Sequence, residues 1–355
     1  MPLIVDGPQI PTRWLETKSA SHLVPIDSRT ARGETLRIAL INNMPDAALE
    51  DTELQFFSLL DDASGDLPVL VKLYSLTGVP RTERGMRHLN SFYFSLEELW
   101  DDHFDGLIMT GTEPQQPSLR QEPYWGSLSN VLDWAERNTL SSVLSCLAAH
   151  AGVLHSDGIE RCRLSDKRFG VFEFPIPGGY PLTRNMGGTI RFPHSRWNEV
   201  RPDALESCGY TILTQSAAAG VDCFVKRKKQ SLFVHFQGHP EYQAHTLFKE
   251  YRRDIRRFLR HERETYPTPP LGYFGDEATN CLSEFRQKAI THQSEEVMND
   301  FPEPRLTSSL QNGWRAPAVK IYANWLGLIS ERKAEMFSYA PVRARRSGNT
   351  LQWME

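Results

Sequence analysis

The pattern of apolar and polar positions along the chain alternates between short β-like runs and helical stripes. Leu36-Arg37-Ile38-Ala39-Leu40-Ile41 reads as a buried strand stopped by Asn42-Asn43-Met44-Pro45. From Glu53 to Leu60, apolar residues at 54, 56, 57, 59 and 60 make a helical face. Val69–Tyr74 and Gly106–Gly111 predict further strands, the latter running into a loop with Pro114 and Pro117. Trp125, Leu128, Val131, Leu132 and Ala135 predict a helix over Tyr124–Asn138. Ser141–Ser145 is a fourth strand, followed at once by a helix over Leu147–Leu154. Strands alternating with helices imply a parallel sheet covered on both faces.

After Gly158 the texture changes. Phe169–Phe174, Thr189–Phe192, Tyr210–Thr214, Val221–Val225 and Ser231–Phe236 are short β-like runs without long helices between them. They predict an antiparallel portion on the same sheet or beside it. A helix returns from Tyr242 to about Arg260, another is expected near 276–290, and a last one over Ala316–Ile329. These signals divide the chain into a polar, proline-dotted arm (1–34), an α/β unit (35–265) and a C-terminal extension (266–355). The extension ends in a basic tail around Arg343–Arg346, expected to be solvated.

Composition removes several function classes. A 40% hydrophobic and 24% charged chain has the make-up of a globular protein. A net charge of −4 gives no electrostatic case for nucleic acid or anionic membrane, and no apolar run is long enough for a membrane span. The N-terminus lacks a secretory pattern, and five cysteines without CxxC spacing suggest neither a disulfide framework nor a zinc cage. The expectation is a cytoplasmic protein.

Two segments carry chemistry. Cys146 stands between a buried strand and a helix, where the first-turn N–H groups and the helix dipole favour a thiolate. The N–H of Leu147 is then a natural oxyanion donor. Alone, Cys146 reads equally as a structural core thiol. In Gln237-Gly238-His239-Pro240-Glu241-Tyr242, Glu241 can accept a hydrogen bond from one nitrogen of His239 and leave the other to serve a nucleophile. A metal on His235 and His239 is disfavoured, because four strand residues span roughly 13 Å.

With these residues in view, the chain resembles the homoserine O-acyltransferases of the transsuccinylase type, relatives of class I glutamine amidotransferases. The resemblance runs through Leu40–Pro45, Phe104–Gly111, Tyr124-Trp125, Ser145–Gly152, Lys167–Glu173, Pro193–Arg196, Gly238–Tyr242, Tyr251–Asp254 and Trp314–Leu326. It implies a flavodoxin-like core, a Cys146–His239–Glu241 triad and ping-pong transfer through an acyl-cysteine. Substrate-binding roles are implied for Lys167, Ser195 and Arg253, the last holding an amino-acid carboxylate. Gly111 and Gln115 fall in the acyl-donor loop, where relatives commonly carry Gly or Glu at the position of Gln115.

Three departures stand out. Asp46 and Ala47 replace paired lysines, about two extra residues precede Gln55, and Leu147 replaces a tryptophan. The expected activity is homoserine O-succinyl transfer in methionine biosynthesis. The alternatives are homoserine or serine O-acetyl transfer, or an amidotransferase-like hydrolase. Succinyl-CoA or acetyl-CoA acts as co-substrate, with no metal and no tightly bound cofactor. Expected partners are small molecules, not nucleic acid or membrane, and a homodimer is left open.

Overall fold

The computed structural model describes residues 3–17, 35–308 and 310–338. Along the chain these form β1 (Ile4–Asp6), α1 (Thr12–Thr17), β2 (Leu36–Ile41), α2 (Asp46–Ser64), β3 (Val69–Tyr74), α3 (Glu83–Phe92) and α4 (Leu96–Asp101). There follow β4 (Gly106–Met109), α5 (Trp125–Asn138), β5 (Ser141–Ser145), α6 (Leu147–Asp157), β6 (Cys162–Pro175), β7 (Thr189–Glu199) and α7 (Pro202–Ser207). The remainder comprises β8 (Thr211–Ser216), β9 (Gly220–Lys228), β10 (Ser231–Phe236), α8 (Thr246–Leu259), α9 (Asp276–Thr291), α10 (Glu303–Thr307) and α11 (Arg315–Ser338).

One sheet of eight strands runs in the order β1-β3-β2-β4-β5-β10-β9-β8. Its inner five strands, β3-β2-β4-β5-β10, are all parallel. Numbered among themselves they give 2-1-3-4-5, the flavodoxin-like doubly wound order. β9 and β8 add to β10 in antiparallel fashion, while β6 and β7 form a separate antiparallel pair. The antiparallel portion expected from the sequence therefore lies both on the main sheet and beside it.

Alternation along β2 shows how the sheet is covered. Ile38 and Leu40 join the core that includes residues of α2, α8 and α11, whereas Ala39 and Ile41 join the one built with α5 and α6. Successive side chains point to opposite faces, so a strand buried on both reads as a continuous apolar run. α11 lies directly on β4: a Cβ added to Gly106 would stand 3.2 Å from Trp325 and 2.9 Å from Ile329. Trp325 also donates its indole N–H to Ser141 Oγ at 2.8 Å.

Several elements differ from expectation. Within the polar arm, Ile4–Asp6 pairs in parallel with β3 as the sheet edge. Residues 18–34 and the Arg343–Arg346 tail lie outside the described residues. α3 and α4 were not expected; α3 buries only Gly85, so its apolar stripe is too thin to read. α4 opens with a capping box of Ser95 and Glu98, a signal that was readable. The most consequential difference is α8. It begins at Thr246 and not at Tyr242, after a nonregular loop over 237–245.

Asp46 explains one departure. As the first residue of α2 it accepts hydrogen bonds from the Thr82 N–H (2.7 Å) and hydroxyl (2.6 Å), and pairs with Arg81 at 3.2 Å. Burial alone would raise its carboxyl, but Thr82 and Arg81 outweigh that and hold it below its usual value. Asp46 thus anchors the segment before α3 to the start of α2. Among the described residues no helix is long and apolar enough to cross a membrane.

At the other end of α11, Lys333 donates to Asp105 Oδ2 at 2.8 Å and to the Thr35 carbonyl at 2.9 Å, all three buried. Removing one partner of a buried pair strands the other charge away from water. Lys333→Ala is therefore expected to lower unfolding stability by about 3–5 kcal/mol, read by denaturant titration. A loss within about 0.5 kcal/mol would show that the pair does not fasten α11.

Candidate active site

The turn from β5 into α6 forces Cys146 into φ 52°, ψ −109°, a conformation that an L-residue adopts only under constraint. Its own N–H donates to the Phe236 carbonyl at 2.7 Å, and its carbonyl accepts from Ala149 at 3.0 Å. The β5–β10 register pairs Ser145 with Phe236, so both chains leave the sheet at the same carboxyl edge. On one side this edge presents Cys146, and on the other the 237–241 turn.

That turn delivers the base. His239 N–H donates to the Pro193 carbonyl at 2.8 Å, which orients the residue. Its Nδ1 meets Glu241 Oε1 at 2.8 Å, and its ring feels the charge of Cys146. Ser145 Oγ donates to the same Glu241 oxygen at 3.1 Å. Gly238 has to lack a side chain, since a Cβ there would stand 2.6 Å from Asp222 Oδ1 and 2.7 Å from His194 Nε2. Burial alone would lower the His239 pKa. The Cys146 and Glu241 charges and hydrogen bonds outweigh it and raise the imidazole well above its ordinary value. The arrangement favours the imidazolium form of His239.

Leu147 is the first residue of α6, so its N–H has no acceptor inside the helix. Gly111 packs directly on it: a Cβ at Gly111 would lie 3.0 Å from the Leu147 nitrogen and 2.5 Å from its Cβ. Beyond Gly111, the backbone N–H groups of Gln115 and Gln116 both donate to Glu122 Oε1 at 2.7 Å, and the Gln115 side chain is exposed. The buried Glu122 carboxylate thus fixes the loop in which Gln115 was singled out.

Lys167, Ser195 and Arg253 come together around two carboxylates of α8. Lys167 Nζ lies 3.2 Å from Asp254 Oδ2 and 3.5 Å from Glu250 Oε2. Ser195 donates to Glu250 Oε2. Arg253 contacts Asp254 Oδ1 at 3.2 Å and stands 4.0 Å from Glu250, with half of its side chain exposed. Tyr242 connects this group to the base, stacking on His239 at 4.1 Å while its hydroxyl donates to Glu250 Oε1 at 2.8 Å. With α8 starting at Thr246, Arg253 lies about two turns into the helix.

Sequence reasoning missed Glu250, Asp254 and Tyr242. Glu250 and Asp254 are spaced i,i+4 and so share a helix face, a signal hidden among five arginines. His235, weighed earlier as a metal ligand, is instead a core residue stacked on Phe224 at 4.6 Å, its pKa pushed down to about 3 by burial.

A sequence model of a protein family described as homoserine O-succinyltransferase matches residues 2–335. The chain belongs to that family. A Methylorubrum extorquens protein named homoserine O-succinyltransferase is 42% identical over 84% of this chain and 88% of its own. Its namesake from Rhodopseudomonas palustris is 41% identical, covering 85% and 91%. That from Methylococcus capsulatus is 36% identical over 93% of both chains. Among solved structures, a glutamine amidotransferase from Methylobacillus flagellatus is 16% identical with a TM-score of 0.46, covering 83% of this chain and 95% of that one. The sheet order, and not that slight likeness, carries the fold. The cluster of Lys167, Ser195, Arg253, Glu250 and Asp254 is joined through Tyr242 to the His239–Glu241 pair.

The His239 shift has a testable sign. Cys146→Ser removes the thiolate charge that raises the imidazole and leaves burial, which lowers it. His239 in Cys146→Ser is expected to titrate at lower pH than in the parent, followed by NMR of labelled histidine. An unchanged titration would mean that no thiolate faces the ring.

Proposed function

We propose that this protein transfers a succinyl group from succinyl-CoA to the hydroxyl of homoserine, through a thioester on Cys146. The observation that carries the reading is the link from the base to the basic cluster: Tyr242 touches both His239 and Glu250. The names of the family and its relatives support the same donor and acceptor.

The Cys146 thiolate attacks the thioester carbonyl, forming a carbon–sulfur bond and an oxyanion. Leu147 N–H, with the Gly111 backbone packed against it, faces that oxygen. The carbon–sulfur bond to CoA breaks, and the departing thiolate takes the proton from the His239 imidazolium. Acylation also removes the negative sulfur that held the proton on His239, so the ring becomes neutral when a base is needed. Neutral His239 then accepts the hydroxyl proton of homoserine as its oxygen attacks the acyl carbon. Collapse expels the Cys146 thiolate, His239 stays protonated beside it, and the starting state returns. Glu241 keeps the ring oriented and stabilises its positive form.

Arg253 serves the acceptor. Half exposed and held by Asp254, its guanidinium matches an amino-acid carboxylate in two hydrogen bonds. Glu250 and Asp254 suit the ammonium group, with Lys167 balancing their charge. In this reading residues 35–265 carry the chemistry, the described part of the 266–355 extension braces it, and the protein works in the cytoplasm.

Mass spectrometry after mixing with succinyl-CoA is expected to show one succinyl group on Cys146, discharged by homoserine more readily than by serine. Cys146→Ser is expected to lose the adduct and about four orders of magnitude in turnover. An adduct from acetyl-CoA alone would replace the donor. Glutamine hydrolysis without acylation would replace the reaction class.

The two half-reactions separate the arginines of α8. Arg253→Ala is expected to cost about 2–5 kcal/mol in discharge to homoserine with CoA release from the first step retained. Arg256→Ala, exposed and without an ion pair among the described residues, is expected to change neither by more than about twofold. Equal small effects in steady-state and burst kinetics would return Arg253 to an ordinary solvated helix face.

A further inference from the structure

Two guanidinium groups have the Cys146 sulfur among their charged neighbours, Arg161 and Arg196. They differ in what their donors already do. Arg196 is buried and spent: Nε faces His194 Nδ1 at 3.3 Å, one terminal nitrogen donates to the Asn198 carbonyl at 2.8 Å, and the other to the Ala219 carbonyl at 2.5 Å. Arg161 is half-buried, immediately before β6, and makes no hydrogen bond or ion pair among the described residues. Its charge is felt by Tyr124 and by His150, one turn along α6 from the nucleophile.

Half-buried and with all five N–H donors unspent, Arg161 is available to pair with an anion. The nearest protein carboxylate on this side, Glu122, is already taken up at Oε1 by the Gln115 and Gln116 amides, and lies beyond ion-pair distance of Arg161. Beside them the Tyr124 hydroxyl is 2% exposed as a residue and has no hydrogen-bond partner. A buried hydroxyl without a partner marks a place where a ligand atom is missing. The donors of Arg161 and Tyr124 are therefore open to an anion, on the side of Cys146 occupied by the 111–118 loop.

The acyl chain supplies such an anion. In a succinyl thioester three carbon–carbon bonds separate the carbonyl from a terminal carboxylate, which places that carboxylate roughly 5 Å from the sulfur. A guanidinium that feels the Cys146 charge without hydrogen-bonding to it is free to meet that carboxylate. Arg253 has its own task on the α8 side, and the Lys167 ammonium is bound to Asp254 and Glu250.

We propose that Arg161, with the Tyr124 hydroxyl as a second donor, binds the distal carboxylate of the succinyl group and so selects a dicarboxylic acyl donor. The inference rests on the acyl-transfer reading above. It assigns the two carboxylates of the reaction to two arginines: Arg161 for the donor, Arg253 for the acceptor.

Butyryl-CoA has the same chain length as succinyl-CoA without the charge. The test compares kcat/KM for CoA release from the two thioesters in the parent, Arg161→Ala, Arg161→Lys and Tyr124→Phe. The succinyl-to-butyryl ratio is expected to fall by about 30–100-fold in Arg161→Ala and by less in Arg161→Lys, which keeps the charge but not the fork. Tyr124→Phe, a change of one hydroxyl, is expected to lower the ratio about threefold to tenfold. A ratio unchanged in both Arg161→Ala and Tyr124→Phe overturns the proposal, whatever the absolute rates. If Arg161→Ala does not fold, Arg161→Lys and Tyr124→Phe decide by the same ratio. A parent enzyme that is not acylated by succinyl-CoA sinks the transfer reading itself, whereas a succinylated parent with an unchanged ratio in the variants sinks only Arg161.

Discussion

The site depends on the parallel pairing of β5 with β10. Ser145 and Phe236 are the last paired residues, and the Phe236 carbonyl still accepts the N–H of the next residue, Cys146, at 2.7 Å. That bond holds Cys146 at φ 52°, a backbone state that costs about 1–3 kcal/mol in isolation. Two chains separated by some ninety residues thereby end together, with the thiol on one and the His239 turn on the other. Sliding the register by one residue would turn every side chain of β10 to the opposite face and separate the pair. The strained turn is tolerable because both strands beneath it are buried and fully laddered.

The same edge divides its histidines by environment. His150, His194 and His235 are all pushed down by burial, to about 3, 4 and 3, and stay neutral across the physiological range. His239 is no less buried, yet its pKa rises, because it alone of the four meets both Cys146 and Glu241. Charge is therefore confined to one ring. In the proposed reaction its loss on acylation follows, since Cys146 is the larger raising influence. The neutral His194 beneath Gly238 adds no competing imidazolium, and its contact with Asp222 at 3.3 Å locks the turn from below.

Much of this was legible in the sequence, and the failures have physical causes. Cys146 and the His239–Glu241 pair could be read because a strand end, a helix start and a two-residue spacing are local facts. Four of the five parallel strands were apparent because strands buried on both faces are unbroken apolar runs; the fifth, β10, was read with the antiparallel portion, which it joins through β9 while pairing in parallel with β5. The start of α8 was misread because Tyr242 continues the apolar period of Leu247, Phe248 and Tyr251. Tyr242 is buried for another reason, its stacking on His239. Glu250 and Asp254 were passed over because acids among arginines look like any solvated helix face. Only the tertiary position of Lys167 and Ser195 on the β6–β7 pair reveals what those carboxylates face. Asp46 shows the converse. Read as a lost lysine, it is a helix-start carboxylate with its own partners, and the chemistry of that position has been exchanged for anchoring.

The C-terminal segment then has a definite mechanical part. Loop 237–245 has no ladder of its own, and unsatisfied carbonyls there would leave Tyr242 and the base free to shift. The Trp314 indole donates to the Tyr242 carbonyl at 2.6 Å, Asn312 reaches the same oxygen at 3.5 Å, and Tyr273 donates to the Ala244 carbonyl. From α2, Gln55 reaches Thr246 Oγ1 at 3.0 Å and sets where α8 begins. Tyr322 of α11 feels the Glu241 charge. The loop that carries His239 is thus shaped from outside, by side chains 29 or more residues away along the chain in either direction. Pinning by large aromatic donors explains how an irregular segment can position Tyr242 between His239 and Glu250 as firmly as a strand would.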